Sequence, residues 1–147
     1  MALQVVIFSL GEEEYAIPIE GVREITRLGE VHVIPQAPCY VRGLINLRDK
    51  AIPLIDLHVR FGLHVNEEAN HHTFALITEI GGNYVGFAVD QVKEVRILES
   101  IDSPPSLVTA PFIAGIVNLS DRMIILLIPE QILESNELQG LSQLTSS

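Results

Sequence analysis

Cysteine is nearly absent from this chain of 147 residues, and that scarcity limits the chemistry the chain can perform. The single Cys39 has no second cysteine with which to form an internal disulfide bond. Its neighbours, Pro38 and Tyr40, supply no base that would activate a thiolate. The sequence therefore predicts neither a disulfide framework nor a catalytic cysteine.

Basic residues and long apolar runs are also scarce. Lysine and arginine number 9 against 19 acidic residues, and the net charge of −10 argues against nucleic acid, whose binding depends on many cations. No apolar run approaches the roughly 18 residues that span a bilayer. The N-terminal residues 1–4 lack the basic and apolar regions of an export signal. We expect a cytoplasmic protein that does not insert into a membrane.

The sequence contains no recognisable active site. His71 and His72 form the only histidine cluster, but adjacent side chains point apart in an extended chain and no spaced ligand completes a metal site. The acidic runs 12–14 and 67–68 lie in polar connections, where nothing raises a carboxyl pKa for acid catalysis. Nucleophile elbows, phosphate loops and dinucleotide fingerprints are absent. We therefore expect no enzymatic activity, no metal and no cofactor.

What the chain does contain is an internal repeat. Residues 43–57 reappear as residues 115–129, at an offset of 72, with the same glycine, Asn-Leu pair, aspartate and aliphatic run. Upstream, residues 5–25 align with residues 75–95 at an offset of 70. Two copies of this length indicate two similar subdomains packed as one domain. We place the subdomains at about 1–68 and 69–134, and we expect residues 135–147 to fray.

Alternating and aliphatic segments dominate the secondary-structure pattern. The predicted strands are Val5–Leu10, Glu14–Ile17, Ala51–Ile55, Thr73–Ile80, Tyr84–Val89 and Arg122–Ile128, and residues 22–28 and 92–98 also fit strands. Short helices are predicted at Val41–Asn46, after Leu57, and from Glu130 to Leu138, with a polar connection at 63–72. This pattern predicts a mainly β fold of two small antiparallel barrels, packed face to face.

The repeated turn carries residues for which a structural role is expected. Glycine and asparagine suit turns and caps, and an aspartate tolerates a left-handed conformation better than most residues do. The structural turn residues predicted on this basis are Asn46, Asp49, Gly115, Asn118 and Asp121.

Several of these segments together resemble one known family. The run Val33–Pro38, followed by Val41–Arg48 and Ile52–Leu57, resembles CheW, the family of adaptors of bacterial chemotaxis. The supporting segments are Phe8–Tyr15, Val22–Ile25 and Ser106–Leu119, and the likeness runs from Val5 to about Leu133. The resemblance implies paired five-stranded SH3-like barrels without enzymatic activity.

The resemblance also implies partners and a binding site. Members of this family couple the histidine kinase CheA, through its regulatory domain, to the cytoplasmic tips of methyl-accepting chemoreceptors, and two barrel ends allow rings or arrays. The family's receptor-binding positions correspond to Val22, Glu24, Gly43 and Arg48. Core packing of Val22 and a turn role for Gly43 remain open.

Arg48 is the strongest functional candidate, because the second copy of the repeat has Ser120 at its place. A base that served only the turn would be expected in both copies. One departure concerns the next residue, where the family usually has glycine and this chain has Asp49. The shape of the turn therefore depends on how Asp49 adopts a left-handed conformation.

Two alternatives remain at this stage. One is a CheW-like coupling protein of another chemosensory pathway, such as pilus motility. The other is a small-ligand binder or enzyme built on a double barrel, in which the cleft between the halves would hold convergent polar groups around an apolar cavity.

Overall fold

The computed structural model describes residues 2–63 and 74–145, with side chains through residue 141. The strands are β1 Leu3–Leu10, β2 Glu13–Pro18, β3 Val22–Arg27, β4 Val41–Leu47, β5 Lys50–Asp56, β6 Phe74–Ile80, β7 Asn83–Val89, β8 Gln91–Leu98, β9 Ile113–Asn118 and β10 Met123–Leu127. The helices are α1 Leu57–Arg60, α2 Pro129–Ile132 and α3 Ser135–Thr145, and a short 3-10 turn covers Ile19–Gly21. The prediction of a mainly β protein with short helices is confirmed.

Two five-stranded sheets form the fold. Sheet I has the order β8-β1-β2-β10-β9, and sheet II has the order β3-β6-β7-β5-β4. In each sheet one parallel pair joins two antiparallel units, β10 with β2 in sheet I and β5 with β7 in sheet II. The two sheets are therefore built on the same plan, as the repeat predicts.

Neither sheet follows the boundary at residue 68 that the repeat suggests. Sheet I takes the β1–β2 hairpin from the first copy and three strands from the second, while sheet II takes the β6–β7 hairpin from the second copy and three strands from the first. Each copy thus gives its first hairpin to the barrel that the other copy completes. The sequence reveals the repeat but not this exchange, since an exchanged hairpin makes the same local contacts as one that stays.

Three apolar clusters explain why so many strands are aliphatic at consecutive positions. One cluster, including Val5 and Ile7, fills the interior of the sheet I barrel, and another, including Leu54 and Ile77, fills that of sheet II. A third, larger cluster joins both sheets and the helices. Strand β1 is buried on both faces, because Val6 and Phe8 point into this shared cluster while Val5 and Ile7 point into the barrel.

The segment Val41–Asn46 was predicted as a helix, and that prediction is wrong. It forms β4, in which Val41, Gly43 and Ile45 are buried and Arg42 is exposed. This alternation has the period of two that a strand requires, and the aliphatic Leu44, which is out of phase with it, obscures it in the sequence. The corresponding strand of the second copy, β9, was not predicted.

The C-terminal segment differs from the sequence-based expectation as well. The predicted helix Glu130–Leu138 is divided into α2 and α3 by an extended Leu133. Residues 135–145, expected to fray, form α3, whose Leu141 is buried against the shared cluster. Arg60 donates two hydrogen bonds to the Glu137 carboxylate, at 2.8 and 3.0 Å, and one to the Ile132 carbonyl at 2.9 Å. The helix is therefore anchored by contacts that cross more than 70 residues of sequence.

Candidate functional site

Gly43 and Gly115 allow the same close approach of two backbones. His32 forms an isolated bridge with Leu44, and a Cβ atom at Gly43, whose φ is +148°, would lie 2.3 Å from the His32 carbonyl oxygen. Asp102 forms the corresponding bridge with Ile116, and a Cβ at Gly115 would lie 2.6 Å from its carbonyl oxygen. No real Cβ occupies such positions. Both glycines thus have a structural role, and it lies within a strand rather than at a turn.

The predicted turn residues divide into two groups. Asn46 lies in β4 opposite Ala51, and Asn118 lies in β9 opposite Met123, so neither is in the turn itself. The turn between β4 and β5 consists of Arg48 and Asp49, whose φ angles are +52° and +64°. Positive φ at both central residues is the backbone of a type I′ hairpin, which matches the twist of the strands it joins. Asp49 therefore adopts the left-handed conformation expected of it.

This turn brings Arg48 to Glu24. The Arg48 guanidinium donates from Nη2 to Glu24 Oε1 at 2.9 Å, with side-chain exposures of 79% for the arginine and 28% for the glutamate. Most of the guanidinium therefore remains in contact with solvent. The two predicted site residues meet although 24 residues separate them in the sequence.

Around this pair the barrel of sheet II opens in a groove of about 130 Å³. We call this groove the Arg48 mouth. Ile52 and Ile77 form its floor, and its rim consists of Arg23, Glu24, Leu47, Arg48, Lys50 and Tyr84. Arg23 is paired with Glu79 at 2.9 Å on the same side. The arrangement presents charges around an apolar floor.

Val22 and Gly43 lie elsewhere. Val22 packs against the shared cluster between the barrels, opposite Thr78, so its side chain does not line the groove. Gly43 is buried in β4. The structure thus brings two of the four predicted receptor-binding residues to one face and gives the other two contacts within the fold.

Lys50 and Tyr84 are among the residues of the Arg48 mouth that were not predicted as site residues. The Lys50 ammonium lies 4.7 Å from the centre of the Tyr84 ring, a distance at which a cation is attracted to an aromatic face. A signal for Lys50 exists in the repeat, because Arg122 occupies its place in the second copy. Tyr84 carries no such signal, since Glu14 stands at its place in the first copy.

The equivalent end of the sheet I barrel, which we call the Arg122 mouth, is arranged differently. Arg122 donates to Glu94 Oε1 at 2.8 Å and to Glu14 Oε1 at 3.4 Å. Glu94 also contacts Arg96 at 3.4 Å. Only 25% of the Arg122 side chain is exposed, so the base here is surrounded by its own chain's carboxylates.

No group of three or more histidine, cysteine or acidic side chains with metal-binding geometry occurs among residues 2–63 and 74–145. The predicted connection at 63–72, with His71 and His72, lies almost entirely outside these ranges. In the same part of the chain, no helix has the length and hydropathy that a membrane crossing requires.

Comparison with known proteins agrees with this architecture. Residues 4–137 match the family of CheW-like domains. The chain is 37% identical to the chemotaxis protein CheW of Treponema pallidum, over 96% of this chain and 88% of the relative, and 34% identical to that of Klebsiella aerogenes, over 90% and 82%. The crystal structure of the scaffolding protein TtCheW from Thermoanaerobacter tengcongensis superposes with a TM-score of 0.83 at 37% identity, covering 93% of this chain and 96% of that one.

The paired five-stranded SH3-like barrels and these matches define an adaptor, or scaffolding, protein of chemotaxis. Within that class, the chain belongs to the CheW-like family.

Proposed function

We propose that this protein couples the histidine kinase CheA to the cytoplasmic tips of methyl-accepting chemoreceptors and has no enzymatic activity of its own. The observation that carries the proposal is the Glu24–Arg48 pair, which is held on an exposed barrel mouth in a chain of the CheW-like family. The protein works in the cytoplasm, in receptor arrays at the inner face of the membrane.

The receptor contact uses the Arg48 mouth. Its charges stand in fixed positions on a hairpin and an edge strand, and charges so fixed determine the register and orientation of a partner more than its bulk affinity. Ile52 and Ile77 make the groove floor apolar, and the partly exposed Leu47 on its rim is available for apolar contact. A helical hairpin with one apolar and one charged stripe fits this surface.

The kinase contact uses a different part of the molecule. The regulatory domain of CheA docks on apolar side chains of a barrel end, and sheet I exposes Ile97 on β8 and Met123 on β10 by more than half of their surface. These residues belong to the barrel opposite the Arg48 mouth. Two non-identical ends in one chain let contacts continue into rings or arrays.

The test compares two charge substitutions at equivalent turn positions. In Arg48→Glu the pair with Glu24 becomes a repulsion, whereas Ser120→Glu introduces the same exposed acid at the Arg122 mouth. Isothermal titration of each variant is made against a chemoreceptor cytoplasmic hairpin fragment and against the CheA regulatory domain, with circular dichroism as a check on folding.

We expect Arg48→Glu to weaken binding of the receptor fragment by about 2 kcal/mol or more, because the guanidinium is desolvated on docking. Binding of the kinase domain should be unchanged, and Ser120→Glu should leave receptor binding as it is. Equal losses for both partners, or no loss for the receptor fragment, would remove Arg48 from the receptor contact. A wild-type chain that binds neither partner would refute the coupling function.

A further inference from the structure

The two barrel mouths differ in whether their basic residue is paired with carboxylates of the chain. At the Arg48 mouth this residue is Lys50, which stacks on Tyr84. Arg122, which stands at the place of Lys50 in the repeat, is neutralised by Glu94 and Glu14. Lys50 lies instead on the uncharged ring of Tyr84, and within the described residues no carboxylate lies within ion-pair distance of its ammonium. Its positive charge therefore remains available to a partner.

The stack also fixes where that charge is. A lysine ammonium on a flexible stem samples many positions and loses entropy when a partner binds it. The ring of Tyr84 holds the ammonium at 4.7 Å from its centre, and the half-buried tyrosine itself lies on β7. The lysine is thus ordered before the partner arrives, and the entropic cost of docking falls.

The position of the stack connects two grooves. On one side lies the Arg48 mouth with Glu24 and Arg48. On the other, a second groove of about 380 Å³ runs from Lys50 and Tyr84 past Asp49 to the turn at Gly82 and Asn83. Both grooves share Lys50 and Tyr84, so a helix lying across the mouth meets the lysine whichever groove it enters.

Two carboxylates on this side of the barrel, Glu24 and Glu79, are already paired within the chain. Glu24 is bound by Arg48 and Glu79 by Arg23, each at 2.9 Å. In a chain with a net charge of −10, a preordered cation on this face attracts an acidic side chain and opposes the general repulsion between two acidic proteins. The chemistry that fits is a carboxylate on a helix, with an apolar neighbour that covers the face around the tyrosine.

We propose that Lys50, held by Tyr84, is a specificity-determining residue of the receptor-docking face, and that it binds a carboxylate on the receptor helix next to the Arg48 contact. This inference rests on the proposed function. The site then has a second cation, Lys50, beside Arg48, and the receptor helix has an acidic residue that binds it.

The experiment titrates the full chain with a chemoreceptor cytoplasmic hairpin fragment at three salt concentrations. Lys50→Gln removes the charge, Lys50→Arg retains it, and Tyr84→Leu retains apolar bulk but removes the aromatic face. Arg27→Gln is the matched control, because Arg27 lies 5.6 Å from the Phe74 ring centre in a similar stack that does not line the mouth.

We expect Lys50→Gln and Tyr84→Leu each to weaken binding about fivefold and to flatten its salt dependence, while Lys50→Arg and Arg27→Gln bind as the wild type does. In a receptor fragment whose contacting acid is changed to the amide, Lys50→Gln should cause no further loss.

The outcomes separate the inference from the function on which it rests. If Arg48→Glu weakens the fragment but Lys50→Gln and Tyr84→Leu do not, the inference is overturned and the coupling function stands. If Arg27→Gln causes the same loss of affinity as Lys50→Gln, the loss comes from the change in net charge, and the specific role of Lys50 is refuted. If the wild-type chain does not bind the fragment, the proposed function fails and this inference fails with it.

Discussion

At the Arg122 mouth one arginine lies between two carboxylates, whereas at the Arg48 mouth the corresponding lysine lies on an aromatic ring. The two mouths share a strand order, a hairpin and a glycine that admits a neighbouring backbone. They differ in a few side chains around that common frame. At one mouth the charges are used within the chain, and at the other a guanidinium that is 79% exposed faces the solvent.

The difference shows how a repeat divides structural and binding roles. The repeated glycines and aliphatic residues determine the backbone of each barrel in the same way. The side chains at the mouths are not needed for this and are free to vary. Exposed ion pairs contribute little to stability, so changing them alters recognition at small cost to the fold. Four predictions test this comparison, from the largest expected effect to the smallest.

The first prediction concerns the two close-approach glycines. Gly43→Ala should destabilise the protein by about 3 kcal/mol, because its Cβ meets the His32 carbonyl and its φ is positive. Gly115→Ala should cost about 2 kcal/mol, since it meets the Asp102 carbonyl without a positive φ. Urea unfolding measures both, with Gly29→Ala, which has open space around it, as the control. Equal and small losses would contradict the structural role of the glycines.

The second prediction concerns the anchor that joins α3 to the rest of the fold. Burial by itself raises the pKa of Glu137, but the Glu134 N–H, the Tyr40 hydroxyl and Arg60 together hold that pKa below its usual range. The contribution of Glu137 to stability is therefore complete above the ordinary glutamate pKa of about 4.3 and is lost as the pH falls through the lower folded-state pKa.

Hydrogen exchange of the α3 amides measures this effect between pH 6 and pH 3. We expect α3 to lose protection before β1 does, and Glu137→Gln to lose about 1 kcal/mol at pH 6 and nothing further on acidification. Arg60→Gln is the matched variant, because it removes the other partner of the Arg60–Glu137 ion pair. If the pH dependence persists in Glu137→Gln, another group is responsible.

The third prediction contrasts the bases of the two mouths. Arg122→Gln should cost about 1 kcal/mol, because it leaves Glu14 and Glu94 facing each other without the base between them. Lys50→Gln and Arg48→Gln should each change the free energy of unfolding by less than about 0.5 kcal/mol. Unfolding in urea at low and high salt is the measurement. A loss at Lys50 as large as that at Arg122 would show that both mouths are structural.

The fourth prediction concerns the turns. Asp49→Gly should stabilise the protein by about 0.5 kcal/mol, because Asp49 has a positive φ that glycine adopts without strain. Asp121 does not have a positive φ, so Asp121→Gly should destabilise by a similar amount through the greater freedom of the unfolded chain. Opposite signs in thermal unfolding would confirm that the two turns differ in shape. The same sign for both would show that they do not.

The sequence gives a good account of the strands and a poorer one of two regions. Strands such as β1, β5 and β7 follow from short aliphatic runs bounded by turn residues, which are glycines at the β1–β2 and β6–β7 hairpins. The error at Val41–Asn46 arose because a glycine lies at the bulge of β4 and the aliphatic Leu44 is out of phase with the buried positions, and both hide the period of two. The predicted helix ended at Leu138, short of the end of α3, because Glu137 and Leu141 find their partners far away in sequence.

The candidate site was predictable in part. Arg48 could be singled out because Ser120 replaces it in the repeat, and Glu24 came from the family resemblance. Tyr84 could not be predicted, since nothing in a β-strand pattern distinguishes a tyrosine on which a lysine stacks from one that faces the core. Val22 illustrates the same limit, because its burial between the barrels depends on the packing of β3 against β6.

The sequence by itself determined the repeat, the β-rich class and the family, since these depend on local periodicity and on residues such as Gly43 and Gly115. These two glycines recur in the sequence because each copy needs one where a neighbouring backbone approaches closely. Only the tertiary structure decided which hairpin joins which barrel and which charges meet. Glu24 and Arg48 are on different strands, and Lys50 and Tyr84 come from different copies of the repeat. Long-range pairings of this kind depend on how the sheets close, and no local pattern in a chain records that geometry.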